Sequence, residues 1–319
     1  MKKLKAAVIG VGHLGKSHAR IYHELPNVDL VALCDINPEQ KTQADALGTN
    51  FTADYRSVLG QVDIASIVTP TSTHYTIAKD FLNSGVHVLI EKPITSQLDE
   101  ADELIEISRQ KKLILQVGHL ERYNAGFRKI ERIAKNVRFI EVHRLGPFNP
   151  RIKDCGVVLD LMIHDIDIIL QLVKSEIESL DAIGINVLTA YEDIANVRIK
   201  FKNKAIADIT ASRLTPEAQR KIRIFQEDAY ISLDYVAQSG QIFRKSGFAE
   251  ALFGGKISRE QIDIQKEEPL RAELEDFVKS AERGTPSGKP DLDARNALKV
   301  ALDILKSIEE NAPKPLHAF

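Results

Sequence analysis

A glycine-rich turn near the N-terminus joins a short apolar run to a helical pattern. Residues 5–10 (KAAVIG) are mostly apolar and lead into Gly10-Val-Gly12-His13-Leu14-Gly15, after which the helical pattern begins. In such a turn the first glycine permits tight bending, the second lets a pyrophosphate approach the backbone, and the third allows close helix–strand packing. The helix N-terminus then offers free N–H groups to the phosphates. The sequence therefore predicts a dinucleotide-binding turn made by these residues.

Asp35 indicates which dinucleotide the turn would bind. It stands twenty residues after Gly15, at the end of a second predicted strand, residues 28–35. A carboxylate at this place accepts hydrogen bonds from the adenosine ribose and repels a 2′-phosphate. Ile36 and Asn37 follow, so neither neighbour is an arginine that could hold such a phosphate. We therefore predict NAD rather than NADP.

The first third of the chain alternates strand-like and helix-like segments. Apolar runs lie at residues 5–10, 28–35, 64–68, 86–90 and 113–117, and a helical pattern follows each of the first four. Thr73 is predicted to cap the helix of residues 76–83. Strands separated by helices at this spacing are typical of a parallel sheet with helices on both faces. The sequence thus predicts an α/β Rossmann domain over residues 1–120.

The pattern changes after Gly118. Helical patterns cover residues 122–134 and 157–173, residues 138–144 alternate as in a strand, and five or six strand-like runs follow between residues 180 and 244. Helices are predicted around residues 270–283 and 291–311, and a loop at 248–265. The second domain, residues 121–319, is therefore predicted to be α+β with a large, mainly antiparallel open sheet.

The bulk composition excludes several classes of partner. A chain of 319 residues with a net charge of −2 gives no electrostatic reason to bind nucleic acid or an anionic membrane. Cys34 and Cys155 are its two cysteines, too few for a disulfide framework. The sequence contains no run of 18 apolar residues, so no membrane-spanning helix is predicted. We expect a cytoplasmic protein.

Two segments are predicted to follow strands at the edge of the parallel sheet where ligands bind. Thr69 and Pro70 end one strand, and His74 lies shortly after them, either lining the cofactor cleft or serving as an ordinary histidine at a helix N-terminus. Lys92 precedes Pro93, which restricts it to an extended backbone. Its ammonium group could hold a substrate hydroxyl. The alternative is that Lys92 is an ordinary surface lysine before a turn.

A polar stripe marks the apolar helix predicted at residues 157–173. Asp160, His164 and Asp167 share one face, and burying them among isoleucines and leucines is costly without a partner or purpose. A histidine can remove the hydroxyl proton of an alcohol, and Asp160 could either orient that histidine or bridge to Lys92. A structural polar network is the alternative. A zinc site is disfavoured because no cysteine or second histidine completes a ligand set, so no metal is predicted.

Together these segments resemble those of the Gfo/Idh/MocA oxidoreductases. The resemblance rests on GVGHLG, TPTSTH, EKP and the Asp160-x3-His164 spacing, and it covers essentially the whole chain. It implies that Lys92 and His164 flank the nicotinamide with Asp160 assisting, and that Glu91 binds the nicotinamide-side ribose. It also implies homodimers or homotetramers formed through the open sheet. The cofactor residues predicted are Gly10, Gly12, His13, Leu14, Gly15, Asp35, Thr69, Pro70, His74, Glu91 and Lys92.

A narrower resemblance concerns the substrate. Segments 117–124, 144–168 and 220–235 resemble family members that oxidise the 3-hydroxyl of UDP-N-acetylglucosamine, a step towards the amino sugars of lipid A or surface polysaccharide. The diphosphate of such a substrate needs cationic partners, and arginines in or near these segments could supply them. The alternative for each of these arginines is an ordinary solvated position on the surface. The substrate residues predicted are Arg122, Tyr123, Asn124, Arg144, Arg151 and Arg213, with Lys153 nearby. Met162 stands where most of the family has glycine, which implies an altered wall near His164.

Two other functions stay open on the sequence alone. A dehydrogenase of a free sugar or polyol such as inositol would pair hydroxyls with Asp, Asn or Glu rather than with arginines. A non-catalytic NAD-binding sensor would keep the fold without the reaction, and the presence of Lys92, Asp160 and His164 argues against it.

Overall fold

The computed structural model describes residues 3–150, 155–245 and 257–311. The chain divides into two compact units. The first comprises Met1–Tyr123 with Glu268–Leu298, and the second comprises Asn124–Glu267 with Lys299–Phe319. The predicted division at residue 120 lies close to the observed one. However, residues 268–298 group with the first unit, although the sequence placed them in the second domain.

A six-stranded parallel sheet forms the centre of the first unit, in the order β3-β2-β1-β4-β5-β6. Its strands are β1 (Leu4–Ile9), β2 (Val28–Cys34), β3 (Asn50–Thr52), β4 (Ile64–Ile67), β5 (His87–Glu91) and β6 (Leu115–Gly118). Its helices in this stretch are α1 (His13–Glu24), α2 (Lys41–Leu47), α3 (Thr71–Asn83) and α4 (Leu98–Lys111). β1 lies between β2 and β4, so strand order reverses there, which is where such sheets bind ligands. The sequence missed β3, which is only three residues long.

An eight-stranded sheet forms the second unit, in the order β14-β13-β12-β11-β7-β10-β9-β8. Its strands are β7 (Phe139–Leu145), β8 (Ile177–Ile185), β9 (Ile194–Phe201), β10 (Ile206–Ser212), β11 (Gln219–Phe225), β12 (Ala229–Asp234), β13 (Ser239–Lys245) and β14 (Ile257–Ile262). Every neighbouring pair is antiparallel except β7 with β10. Helices α5 (Ala125–Ile133) and α6 (Ile163–Val173) also belong to this unit. The predicted fold class is confirmed.

The loop predicted at residues 248–265 is wrong in part. Ile257–Ile262 forms the edge strand β14 and pairs with β13. Its sequence ISREQI is mostly polar, because an edge strand has little buried surface, and no apolar alternation marks it. Residues 248–256 lie outside the described residues.

The last two helices are α7 (Pro269–Arg283) and α8 (Pro290–Asn311). The apolar face of α7 explains why this helix groups with the first unit. Leu270, Leu274 and Phe277 belong to one buried cluster with Val8 of β1 and Tyr22 of α1. A sequence pattern shows that such a face is apolar but not which domain it covers.

Candidate active site

The glycine turn after β1 has three glycines with different reasons to be glycine. Gly10 has a φ of +89°, and a Cβ there would lie 2.5 Å from the carbonyl oxygen of Val68. A Cβ on Gly15 would lie 2.0 Å from the carbonyl oxygen of Gly10. A Cβ on Gly12 would meet no atom within 4 Å. The fold itself therefore requires Gly10 and Gly15, whereas the space above Gly12 is left for a ligand.

Helix α1 begins at this turn with an uncapped N-terminus. Gly12 is its N-cap and carries no side chain, the first turn has no acidic residue, and the first helical bond runs from the N–H of Lys16 to the oxygen of Gly12. His13 is exposed and Leu14 half-buried in this first turn. The first N–H groups of α1 have no partner within the helix. These donors and the partial positive charge of the helix N-terminus suit the phosphates of a dinucleotide.

Asp35 is fixed beside the turn by backbone donors. The N–H of Val11 donates to Asp35 Oδ2 at 2.7 Å, and the N–H of Asn37 donates to Oδ1 at 2.8 Å. Each carboxylate oxygen retains a further lone pair. The group is therefore held in one orientation with acceptor capacity left for two ribose hydroxyls.

A cavity of about 570 Å³ extends from this turn. Its volume lies in the usual range of ligand sites. Ile36 at its edge is 90% exposed, and burial of Cys34 in its wall raises the pKa of that thiol to about 12. The lining residues include Gly10, Gly12, Asp35, Thr69 and Pro70 from the predicted set, together with Tyr55, Arg56, Ser72, Thr73, Thr76 and Ile77. The turn, the helix terminus and this cavity fit an NAD molecule.

His74 does not line that cavity. It is 1% exposed, with Nδ1 at 2.9 Å from the carbonyl oxygen of Pro93 and Nε2 at 2.8 Å from that of Thr69. Burial lowers the pKa of His74, although the two backbone hydrogen bonds oppose that effect. The ring thus ties the end of β4 to the segment after β5. Contrary to the sequence expectation, α3 starts at Thr71, so Thr73 lies inside it rather than capping it.

Glu91 and Lys92 lie at the carboxyl end of β5. Glu91 is 8% exposed, and its Oε1 lies 3.3 Å from Nε2 of the buried His18. A Cβ on Gly118 would come within 2.9 Å of the Glu91 carboxylate, so that glycine makes room for it. Lys92 is half-buried and joined to Pro93 by a cis peptide bond. The sequence did not identify His18 and Gly118 as the neighbours of the Glu91 carboxylate.

In the second unit, Asp160 and His164 lie on consecutive helical segments. Val158–Met162 forms a π-helical turn that runs directly into α6. Asp160 and His164 are half-buried, whereas Asp167 is buried. π-Helical turns inside helices occur frequently at functional sites. Met162 is fully buried, and the residues that line the cavity beside Asp160 do not include it.

Glu192 supports the π-helical turn from a neighbouring segment. The N–H of Val157 donates to the Glu192 carbonyl oxygen and that of Val158 to its carboxylate, each at 3.0 Å. A Cβ on Gly156 would lie 1.9 Å from that carboxylate. Glu192 is distant from residue 160 in sequence, and no local pattern predicted this cap.

A cavity of about 440 Å³ in the second unit includes Asp160 in its wall. Arg144 and Arg213, which the sequence predicted to bind substrate, also line it, but each guanidinium is held by a buried carboxylate. Arg144 makes two hydrogen bonds to Asp165, at 2.6 and 2.8 Å. Arg213 donates to Asp193 at 2.7 Å. These arginines therefore build the wall of the cavity and have little charge left for a ligand.

The residues predicted around position 122 are also engaged by protein groups. Arg122 pairs with Asp293 at 3.0 Å, and the Tyr123 hydroxyl donates to Asp276 at 2.8 Å. Burial, together with nearby carboxylates, raises the pKa of Tyr123 well above its usual range. Asn124 is the N-cap of α5, where its Oδ1 accepts the N–H of Gly126. Arg151 and Lys153 lie outside the described residues.

The described part of the chain lacks two kinds of feature. Residues 3–150, 155–245 and 257–311 contain no group of three metal-ligating side chains placed to hold an ion. Within the same ranges, no helix has the length and apolar character needed to cross a membrane.

Comparisons with known proteins agree with this geometry. Residues 4–119 match the oxidoreductase family with an NAD-binding Rossmann fold, and residues 136–232 match the GFO/IDH/MocA C-terminal domain. UDP-N-acetylglucosamine 3-dehydrogenase from Acidithiobacillus ferrooxidans is 35% identical over 97% of this chain and 98% of its own. Its solved structure superimposes with a TM-score of 0.90 at 34% identity, covering 97% of this chain and 99% of the other.

A more distant relative is the myo-inositol 2-dehydrogenase of Thermotoga maritima. It is 25% identical over 96% of this chain and 97% of its own length. The glycine turn, the parallel sheet and the full-length similarity agree with one another, and the chain belongs to the Gfo/Idh/MocA family of NAD-binding oxidoreductases.

Proposed function

We propose that this protein oxidises the 3-hydroxyl of UDP-N-acetylglucosamine with NAD⁺ and releases the 3-keto sugar nucleotide. The observation that carries the proposal is the 35% identity to a UDP-N-acetylglucosamine 3-dehydrogenase over 97% of the chain. The cavity beside Asp160 supports it, because a sugar ring and its attached phosphates need one continuous site.

The cofactor would be held by the first unit. The uncapped N-terminus of α1 and the open space above Gly12 would receive the pyrophosphate. Asp35 would accept hydrogen bonds from the hydroxyls of the adenosine ribose. Glu91, whose Oε1 lies 3.3 Å from Nε2 of His18, would accept a hydrogen bond from a hydroxyl of the second ribose. When bound, NAD⁺ supplies the acceptor for the hydride that leaves the substrate carbon.

The acid–base chemistry is assigned to His164, Lys92 and Asp160. His164 takes the hydroxyl proton as the carbon–oxygen bond becomes a carbonyl, and Lys92 donates a hydrogen bond to that oxygen and stabilises its negative charge. Asp160 stabilises the imidazolium that forms. The π-helical turn capped by Glu192 positions Asp160 and leads into the helix that carries His164.

A dehydrogenase of inositol or another free polyol is the second candidate, favoured by the 25% identity to a myo-inositol 2-dehydrogenase. That substrate carries no phosphate. Turnover that requires the UDP moiety would exclude it.

We further propose that the protein assembles into homodimers or homotetramers through the eight-stranded sheet. Phe139, Phe225, Tyr230 and Phe243 form a row on one face, with ring centroids 4.8–5.5 Å apart. Phe225 is 36% exposed, so part of this row faces outward. Covering such a surface with a second copy would remove apolar area from water. Since sugar nucleotides are made in the cytoplasm, we place the reaction there.

The proposed function is tested by following NADH absorbance with purified protein and NAD⁺. The substrates are UDP-N-acetylglucosamine, UDP-glucose, free N-acetylglucosamine and myo-inositol. We expect turnover with UDP-N-acetylglucosamine at a kcat/KM well above the others. Preferential oxidation of free inositol would replace the proposal with the second candidate, and NAD⁺ binding without turnover of any of these would favour a sensor.

A further inference from the structure

Arg220 is an arginine of the substrate cavity that the sequence did not single out. It lies on β11, directly opposite Arg144 of β7 in the antiparallel register. Opposite residues in such a pair point to the same face of the sheet. Arg220 and Asp160 both line the cavity of about 440 Å³, so this side chain and the proposed acid–base residue share one cavity.

The charges around this cavity are unequal. Arg144 is neutralised by Asp165, and Arg213 by Asp193, in pairs whose side chains are at most 5% exposed. Arg220 is exposed, and within residues 3–150, 155–245 and 257–311 its guanidinium has no ion pair or hydrogen bond. The two buried arginines are thus committed to the wall, whereas Arg220 also lines the cavity and has no such carboxylate partner among the described residues.

We propose that Arg220 binds the diphosphate of a nucleotide-sugar substrate and so makes the enzyme selective for the nucleotide form. This inference rests on the proposed function. A guanidinium suits the role because its planar donors bind phosphate oxygens in pairs and its charge does not titrate. Binding the diphosphate affects the ground state and the transition state alike. Losing Arg220 should therefore raise KM with little change in kcat.

The test compares the wild type with Arg220→Met, Arg220→Lys and a matched control, Arg223→Met. Arg223 lies on the same strand, points to the opposite face and pairs with Glu141. Its substitution therefore removes one positive charge, as Arg220→Met does, but away from the cavity.

At saturating NAD⁺, Arg220→Met should raise the KM for UDP-N-acetylglucosamine roughly ten- to hundredfold. Its kcat and its KM for NAD⁺ should stay within about threefold of the wild type. Arg220→Lys should recover part of the loss, and Arg223→Met should match the wild type. Thermal unfolding midpoints establish that each variant is folded.

Calorimetric titration with UDP alone separates this inference from the proposed function. Wild-type turnover of UDP-N-acetylglucosamine with an unchanged KM in Arg220→Met would overturn the role of Arg220 and leave the proposed function standing. If the wild type does not turn over UDP-N-acetylglucosamine, the proposed function fails, and the binding of UDP then tests the role of Arg220. Binding that Arg220→Met abolishes would support the diphosphate role, whereas binding that it leaves unchanged, or no binding by the wild type, would overturn it.

Discussion

The glycine turn of the first unit and the arginines of the second unit differ in how sequence relates to role. At the turn, Gly10 and Gly15 must be glycine because a Cβ would collide with carbonyl oxygens, and Gly12 is glycine with free space above it. Around the second cavity, arginines look alike in sequence, yet Arg144 and Arg213 are bound to carboxylates, whereas Arg220 has no carboxylate partner among the residues that the structure describes. Backbone requirements are local, whereas the partner of an arginine is chosen by the tertiary fold.

The largest effect is expected at the proposed base. His164→Ala should lower kcat for UDP-N-acetylglucosamine roughly 10²–10⁴-fold, because a positioned general base contributes about that much. The KM for NAD⁺ should change little, since cofactor contacts are assigned to the first unit. Steady-state kinetics measure both values. Near-normal turnover by this variant would remove His164 from the base role.

Arg144→Met should be the most destabilising of the arginine changes. It leaves the Asp165 carboxylate, 1% exposed, without its cation, and breaking a buried pair costs about 3–5 kcal/mol. Urea unfolding gives the change in the free energy of unfolding. The double variant Arg144→Met with Asp165→Leu is the control, and it should recover much of the loss because no buried charge remains. An Arg144→Met protein as stable as the wild type, with a raised KM, would instead make Arg144 a substrate ligand.

Two alanine substitutions separate the glycines of the turn. Gly15→Ala should cost about 3 kcal/mol of stability, because its Cβ overlaps the Gly10 carbonyl oxygen. Gly12→Ala should lower stability by at most about 1 kcal/mol, the cost of a poorer N-cap, and weaken NAD⁺ binding by about tenfold or more. Thermal unfolding and NAD⁺ titration measure the two quantities. Equal behaviour of the two variants in both measurements would contradict the separate roles.

The smallest effect is expected at Asn124. Its Oδ1 caps α5, and replacing such a cap by alanine costs about 1 kcal/mol. Asn124→Ala should therefore lower the free energy of unfolding by that amount and leave the KM for the sugar nucleotide unaltered. A KM effect with unchanged stability would restore the substrate role that the sequence predicted.

Features that depend on local sequence could be predicted, whereas features that depend on contacts with distant segments could not. The parallel sheet was predictable because its strands are apolar runs separated by helices. The position of Asp35 beside the turn was predictable because this residue directly follows β2. The edge strand β14 and the cap supplied by Glu192 were not, because both depend on pairing with distant segments. The apolar face of α7 was visible, but its place against Val8 and Tyr22 was not.

The central claim is that the 3-hydroxyl of UDP-N-acetylglucosamine is the group oxidised. The most direct measurement uses this substrate with deuterium at C3, and mass spectrometry of the reduced cofactor after reaction with NAD⁺. The account predicts that the deuterium appears in the cofactor and that turnover slows relative to the unlabelled sugar if hydride transfer limits the rate. Reduced cofactor that contains only protium would show that another carbon is oxidised and would contradict the account.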